Sequence, residues 1–216
     1  MSGFEAYRRQ RPDDAGLDLM ARTAAALRAD AGFVAEDTDA AAALFLAEEP
    51  GQALAAQAFE QVMARIDAEA ARDAAARAGA GDDPVRAEIA RLPSPAREAA
   101  LAALDHRQRW RFAGLGIRRL ALNVPSGGHV ELMRIEPGRG VVPHAHTGDE
   151  VTLVLEGGYG DGHAQYGPGD ISLAQGDFTH APKADPDGVC YVLAVSYGPP
   201  RIGGIFGLIE RLSRRR

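Results

Sequence analysis

The chain has 216 residues, of which 46% are hydrophobic, and a formal net charge of −6 with a pI near 5.5. This is enough apolar material for a buried core in one or two domains, and the acidic balance argues against direct nucleic-acid binding, which calls for a basic surface. A single cysteine, Cys190, excludes an internal disulfide framework, and the absence of a secretory signal or of a run of about 18 apolar residues leaves a cytoplasmic protein without membrane attachment as the expectation.

In chain order, the first half reads as helix. "LDLMARTAAALRAD" puts Leu17, Met20, Ala24 and Leu27 on one stripe. "DTDAAAALFLAEEP" predicts a short helix capped by Thr38 or Asp39 and stopped before Pro50. "AFEQVMARIDAEAAR" carries Phe59, Val62, Met63 and Ile66 at i, i+3, i+4 and i+7, the spacing of an amphipathic face. Asp83-Pro84 and Ser94-Pro95 each pair a capping residue with a proline at the first helical position.

After residue 109 the period changes. "WRFAGLGIRRLAL", "HVELMRIEPG", "EVTLVLEGG", "DISLAQG" and "VCYVLAVSYG" are short runs rich in Val, Ile, Leu and Tyr, separated by Gly, Pro, Asp and Ser. Many short strands predict an antiparallel sandwich or small barrel. The C-terminal "IGGIFGLIERLSRR" returns to helix, with Ile205, Leu208, Ile209 and Leu212 on one side. The expected class is α+β: a helical region over residues 1–105, then an antiparallel β barrel over 106–216.

Two of the six histidines, His144 and His146, stand two apart in "EPGRGVVPHAHTGDEVTLVLEG". On a strand both point to the same face. Glu150 follows after a turn-forming "TGD", and His180, in "GDFTHAP", is the best source of a third imidazole. Imidazole nitrogen and carboxylate oxygen suit first-row divalent metals such as zinc, iron, manganese, nickel or copper, so these four residues are the expected ligand set. His163, in a glycine-rich loop, and His129 and His106 read as surface or structural residues. Cys190, in an apolar run, reads as a small hydrophobe, and Trp110 as a core or domain-junction residue.

The pattern Gly138-x5-His144-x-His146-x3-Glu150-x6-Gly157 resembles the first motif of the cupin family in full. The second motif is matched in spacing only: Gly169 precedes His180 by the expected interval, but Gln175, Asp177 and Ala184 stand where proline, glycine and asparagine are usual. The resemblance implies a jelly-roll barrel with one divalent metal inside. More narrowly, "HAHTGDEVTLVLEGGYGDGHAQYGPGDI", the preceding "WRFAGLGIRRLALNVPSGGHVELMRIEPG" and the upstream "LAAQAFEQVMARIDAE" resemble the ChrR family of anti-sigma factors in the same order. That likeness implies an N-terminal helical domain holding an extracytoplasmic-function sigma factor, and a zinc-binding C-terminal cupin linked to its release in oxidative stress. The chain departs from the family pattern in the N-terminal His-x3-Cys-x2-Cys zinc motif, since no histidine precedes His106 and no cysteine precedes Cys190. Val192 also stands where the cupin often has a second cysteine after Cys190.

Two functions follow from these readings. One is regulatory: a zinc-binding, ChrR-like transcriptional regulator whose helical half binds a sigma factor. The other is enzymatic: a mononuclear metal cupin, dioxygenase-like, acting on a small molecule. A metal with six positions would leave some open beyond three histidines and one glutamate, whereas four-coordinate zinc would be closed.

Overall fold

The computed structural model describes residues 2–30, 64, 83–114, 116–176 and 178–202. Two compact units divide the chain: Met1–Leu27 with Leu92–Arg216, and Arg28–Arg91. The helices expected around Thr38 and around Phe59 to Ile66, and the C-terminal one after residue 203, lie outside the described residues. Among the described residues, no helix is long and apolar enough to cross a membrane.

Four helices are described: α1 (Ser2–Arg9), α2 (Ala15–Asp30), α3 (Pro84–Ile89) and α4 (Ala96–Asp105). In the second unit, Asp83 caps α3, its side chain accepting the Val85 N–H at 3.0 Å, with proline opening the helix as expected. The start of α4 departs from the expectation of a Ser94 cap. Pro95 is the boundary residue and makes no side-chain cap bond; the Arg97 N–H is taken by the Pro93 carbonyl at 3.0 Å. The Ser94 hydroxyl is therefore free to donate to Glu98, at 2.9 Å.

Eleven strands follow: β1 (Arg111–Gly114), β2 (Ile117–Ala121), β3 (His129–Ile135), β4 (His144–His146), β5 (Glu150–Glu156), β6 (Tyr159–Gly160), β7 (Gln165–Tyr166), β8 (Ile171–Ala174), β9 (Lys183–Ala184), β10 (Cys190–Ser196) and β11 (Pro200–Ile202). They form a six-stranded sheet in the order β1-β2-β3-β10-β5-β8, with a three-stranded sheet β7-β6-β9 and a two-stranded pair β11-β4. The stretch read as a single run, residues 110–122, is instead a hairpin: Gly114 (φ 140°) and Gly116 (φ 79°) break it between β1 and β2. Trp110, expected in the core or at a domain junction, is half-buried just before that hairpin.

Strand β10 is buried along nearly its whole length, so both faces of the large sheet are covered and the strand reads as a continuous apolar run. On one face, Cys190 and Val192 pack with Ile117, Ile135 and Val154, and with Tyr159 and Ala184 from the smaller sheet. This is the inter-sheet core of the barrel. On the other face, Leu120, Leu132, Leu193 and Leu153 sit side by side across β2, β3, β10 and β5, each fully buried. α4 contacts β2, and α1 contacts β8. The architecture is the α+β arrangement expected: N-terminal helices followed by an antiparallel, cupin-like barrel.

Candidate metal centre

The β11-β4 pair, the His180 bridge and the large sheet contribute to one cluster of side chains. The three residues of β4 put His144 and His146 on the same face, and both are buried. His180 lies opposite: its N–H donates to the His144 carbonyl at 2.9 Å, and the His144 N–H donates to the His180 carbonyl at 3.0 Å. This short antiparallel bridge fixes an imidazole whose position the sequence spacing alone left open. Glu150, the first residue of β5, reaches in from the large sheet.

The four residues singled out from the sequence meet here. Nε2 of His180 is 3.1 Å from Nε2 of His144 and 3.1 Å from Nε2 of His146. Glu150 Oε1 is 3.5 Å from His146 Nε2 and 3.9 Å from His180 Nε2. Ligand nitrogens about 2.0–2.1 Å from a tetrahedral zinc stand about 3.3 Å apart, so the donor spacing fits a divalent ion. The tautomers agree with this where they can be read. His144 Nδ1 donates to the Val142 carbonyl at 3.0 Å, which leaves its Nε2 unprotonated and facing the cluster.

Burial shapes the electrostatics in one direction. It lowers the pKa of His144, opposed by the Val142 hydrogen bond, and lowers that of His146, opposed by the Gly198 backbone. His180 falls to about 4, through burial first and then its two histidine neighbours. Burial pushes the Glu150 carboxyl up, opposed by the hydrogen bond that Ser196 Oγ donates to Oε2 at 3.0 Å. Neutral imidazoles present lone pairs, and a cation among them relieves the cost of a buried carboxylate.

The cluster lies between two spaces. A chamber of about 60 Å³ inside the barrel is lined by Met133, Ile135, Val141 and Val192 as well as His144, Glu150 and His180. A cleft of about 590 Å³ reaches His144, His146 and Glu150 past Arg119, His129 and Tyr197.

The remaining histidines stand apart. His163 is exposed, with its Nε2 3.1 Å from the Thr179 carbonyl and its ring against Phe178. His129 is exposed and pairs with Glu131 at 2.9 Å, and His106 closes α4. Cys190 is fully buried, and burial with Asp185 and Glu156 nearby pushes its thiol up to about 12, which keeps it a thiol rather than a reactive thiolate.

A second polar cluster was not anticipated. Asp14 caps α2 through the N–H groups of Gly16 and Leu17 (2.9 and 3.2 Å). It also accepts from Ser126 Oγ (2.7 Å), the Gly127 N–H (3.2 Å) and the Tyr197 hydroxyl (2.7 Å). Tyr7 donates to Asp149 at 2.9 Å. Asp14 followed by Ala-Gly-Leu is a readable cap signature, but the barrel partners are more than a hundred residues away and leave no local signal. Leu17 and Met20 are fully buried and Leu27 is half-buried, so the apolar stripe of α2 packs inward rather than offering an exposed partner surface.

The description "ChrR Cupin-like domain" fits residues 99–199. The anti-sigma-E factor ChrR of Cereibacter sphaeroides is 34% identical over 165 residues, covering 76% of this chain and 72% of that one. Among solved structures, the crystal structure of Rhodobacter sphaeroides SigE in complex with the anti-sigma ChrR matches 90% of this chain and 95% of its own. That match has a TM-score of 0.54 and 27% identity.

Proposed function

The chain belongs to the ChrR family of cupin-domain anti-sigma factors, and on that footing we propose that it holds an extracytoplasmic-function sigma factor inactive and binds one divalent metal, zinc in the first place, in its barrel. The observation that carries the partner is the 34% identity to an anti-sigma factor over 76% of the chain. The matching fold was solved as a complex with its sigma factor. For the metal it is the buried cluster of His144, His146 and His180, whose ligand nitrogens lie within 4.8 Å of one another, with Glu150 Oε1 3.5 Å from His146 and 3.9 Å from His180.

The division of labour is a sigma-binding region within residues 1–105 and a metal-binding barrel over 106–216, at work in the cytoplasm. With the Leu17 and Met20 stripe buried, the partner contact falls to Phe59, Val62, Met63 and Ile66, whose i, i+3, i+4, i+7 spacing suits a helix-in-groove anchor. Zinc would be held by His144, His146, Glu150 and His180. In a four-ligand site of this kind it would supply a structural crosslink joining β4, the His180 segment and β5 rather than a reaction centre.

The test recovers the tagged full-length protein from its own cells, identifies co-purifying proteins by mass spectrometry and measures bound metal. A sigma factor enriched over control, with about one metal ion per chain, is the expected result. No enriched regulatory protein, together with O₂ consumption by the Fe(II)-loaded protein on small-molecule substrates, would establish the enzymatic reading instead.

A further inference from the structure

The N-terminal segment grips the two residues that adjoin the metal carboxylate and its hydrogen-bond donor. On the barrel, Ser196 of β10 pairs with Glu150 of β5 in register, and its hydroxyl holds Glu150 Oε2, leaving Oε1 towards the histidines. One residue out from each is a partner of the segment. Asp149 accepts from Tyr7 at 2.9 Å and from Arg11 at 3.4 Å. Tyr197 donates its hydroxyl to Asp14 at 2.7 Å. The Tyr197 N–H donates to the Asp149 carbonyl at 2.8 Å, which ties the pair together. The Arg11 guanidinium stacks on both rings, 4.0 Å from the Tyr7 centroid and 5.1 Å from that of Tyr197.

These contacts are reinforced by buried Phe4, Leu17, Leu19 and Met20. Asp14 additionally holds Ser126 and Gly127, and Gly127 and Tyr197 both line the cleft that reaches His144, His146 and Glu150. The segment's hydrogen bonds to the barrel go to Asp149, Ser126, Gly127 and Tyr197, so its influence on Glu150 runs through the Asp149–Glu150 and Ser196–Tyr197 pairs.

We propose that residues 2–27 form a clamp that positions Glu150, so that docking of the clamp and occupancy of the metal centre favour one another. The proposal rests on the reading of His144, His146, Glu150 and His180 as metal ligands. A bound ion fixes Glu150 and with it Ser196, Asp149 and Tyr197 in the arrangement the clamp requires. Release of the ion loosens the same residues. The clamp ends within α2, which continues to residue 30, at the start of the second unit, so the chain passes directly from the clamp into that unit.

Coupling between two sites is reciprocal: the factor by which metal stabilises the docked clamp equals the factor by which the docked clamp tightens metal binding. A purely structural contact would leave both factors at one. Gly16→Val is one probe, because a Cβ at Gly16 would stand 2.8 Å from Val130 Cγ2 and 2.9 Å from Ser126 Oγ, forcing α2 off the barrel without touching a ligand. The double variant Tyr7→Phe/Tyr197→Phe is the gentler one; it removes both hydroxyls and keeps the rings.

The experiment uses the full chain with zinc alone. Hydrogen exchange of peptides within residues 2–27 is followed by mass spectrometry with and without Zn²⁺, and zinc affinity is measured by competition with a chromophoric chelator. Zinc is expected to slow exchange in the clamp about tenfold, and the variants to bind zinc weaker by a similar factor. Tight zinc binding with unchanged exchange in residues 2–27, or wild-type zinc affinity in the Tyr7→Phe/Tyr197→Phe protein, overturns the clamp alone. A wild-type chain that binds zinc no better than His144→Ala/His146→Ala overturns the metal reading and the clamp with it.

Discussion

Replacing Glu150 with glutamine separates the charge of the fourth donor from its shape. The amide oxygen can occupy the position of Oε1, 3.5 Å from His146 Nε2, and Ser196 Oγ can still hydrogen-bond the side-chain end. What is lost is the negative charge, on a side chain only 17% exposed. Loss of a charged inner ligand should weaken metal at least as much as loss of an outer-shell partner, about 100-fold at the upper end of that range. With metal at a hundred times the wild-type Kd, binding adds about 2.7 kcal/mol to the wild type and about 0.4 kcal/mol to the variant. For a chain of this size, at about 2–4 °C per kcal/mol, metal should raise Tm by about 5–11 °C in the wild type and about 1–2 °C in the variant. The metal-free proteins should behave the other way. Burial pushes the Glu150 carboxyl up, which means that its charge opposes folding at neutral pH. Glu150→Gln without metal should therefore melt at or above the wild type. Thermal melts with EDTA and with Zn²⁺ read both effects. An equal metal-induced rise in both proteins, or a clear loss of metal-free stability in the variant, would refute the assignment of Glu150 as a ligand.

Other outcomes follow from the same geometry. The folded-state pKa values of His144, His146 and His180 lie below the ordinary 6.5, with His180 at about 4, so below pH 6.5 the unfolded chain takes up protons at these three that the folded one refuses. Metal-free stability should fall as pH drops from 6.5 towards 4, checked by urea melts across that range. Zinc retention should persist below the pH at which exposed histidines release it, read by chelator competition. Leu193→Ala, in the fully buried leucine row, should cost about 2–5 kcal/mol by denaturant unfolding without changing zinc stoichiometry. A chain beginning at residue 106 lacks Asp14, Tyr7 and α4, all within the unit that contains the barrel, and should melt below the full-length protein. Equal melting temperatures would show that these contacts contribute nothing.

Local pattern determined much of this protein. The strand runs, the Asp83-Pro84 helix start and the H-x-H-x3-E spacing were legible because each depends on neighbours a few residues apart: a period of two, a cap, a shared strand face. The motif glycines belong to the same class, since Gly138 (φ 66°) and Gly157 (φ 72°) adopt backbone angles that other residues resist. Tertiary structure decided the rest. His180 joins the cluster through a backbone bridge to His144, so its role depends on a pairing between segments that no local period encodes. The leucine stripe of α2 shows the same limit: its spacing revealed an apolar face, and only the fold showed that the barrel unit already covers it. Asp14 takes two hydrogen bonds from its own helix and three from residues more than a hundred positions away. A carboxylate's local donors can be read from its neighbours in the chain. Its distant donors exist only once the sheets have closed and brought Ser126, Gly127 and Tyr197 to one point.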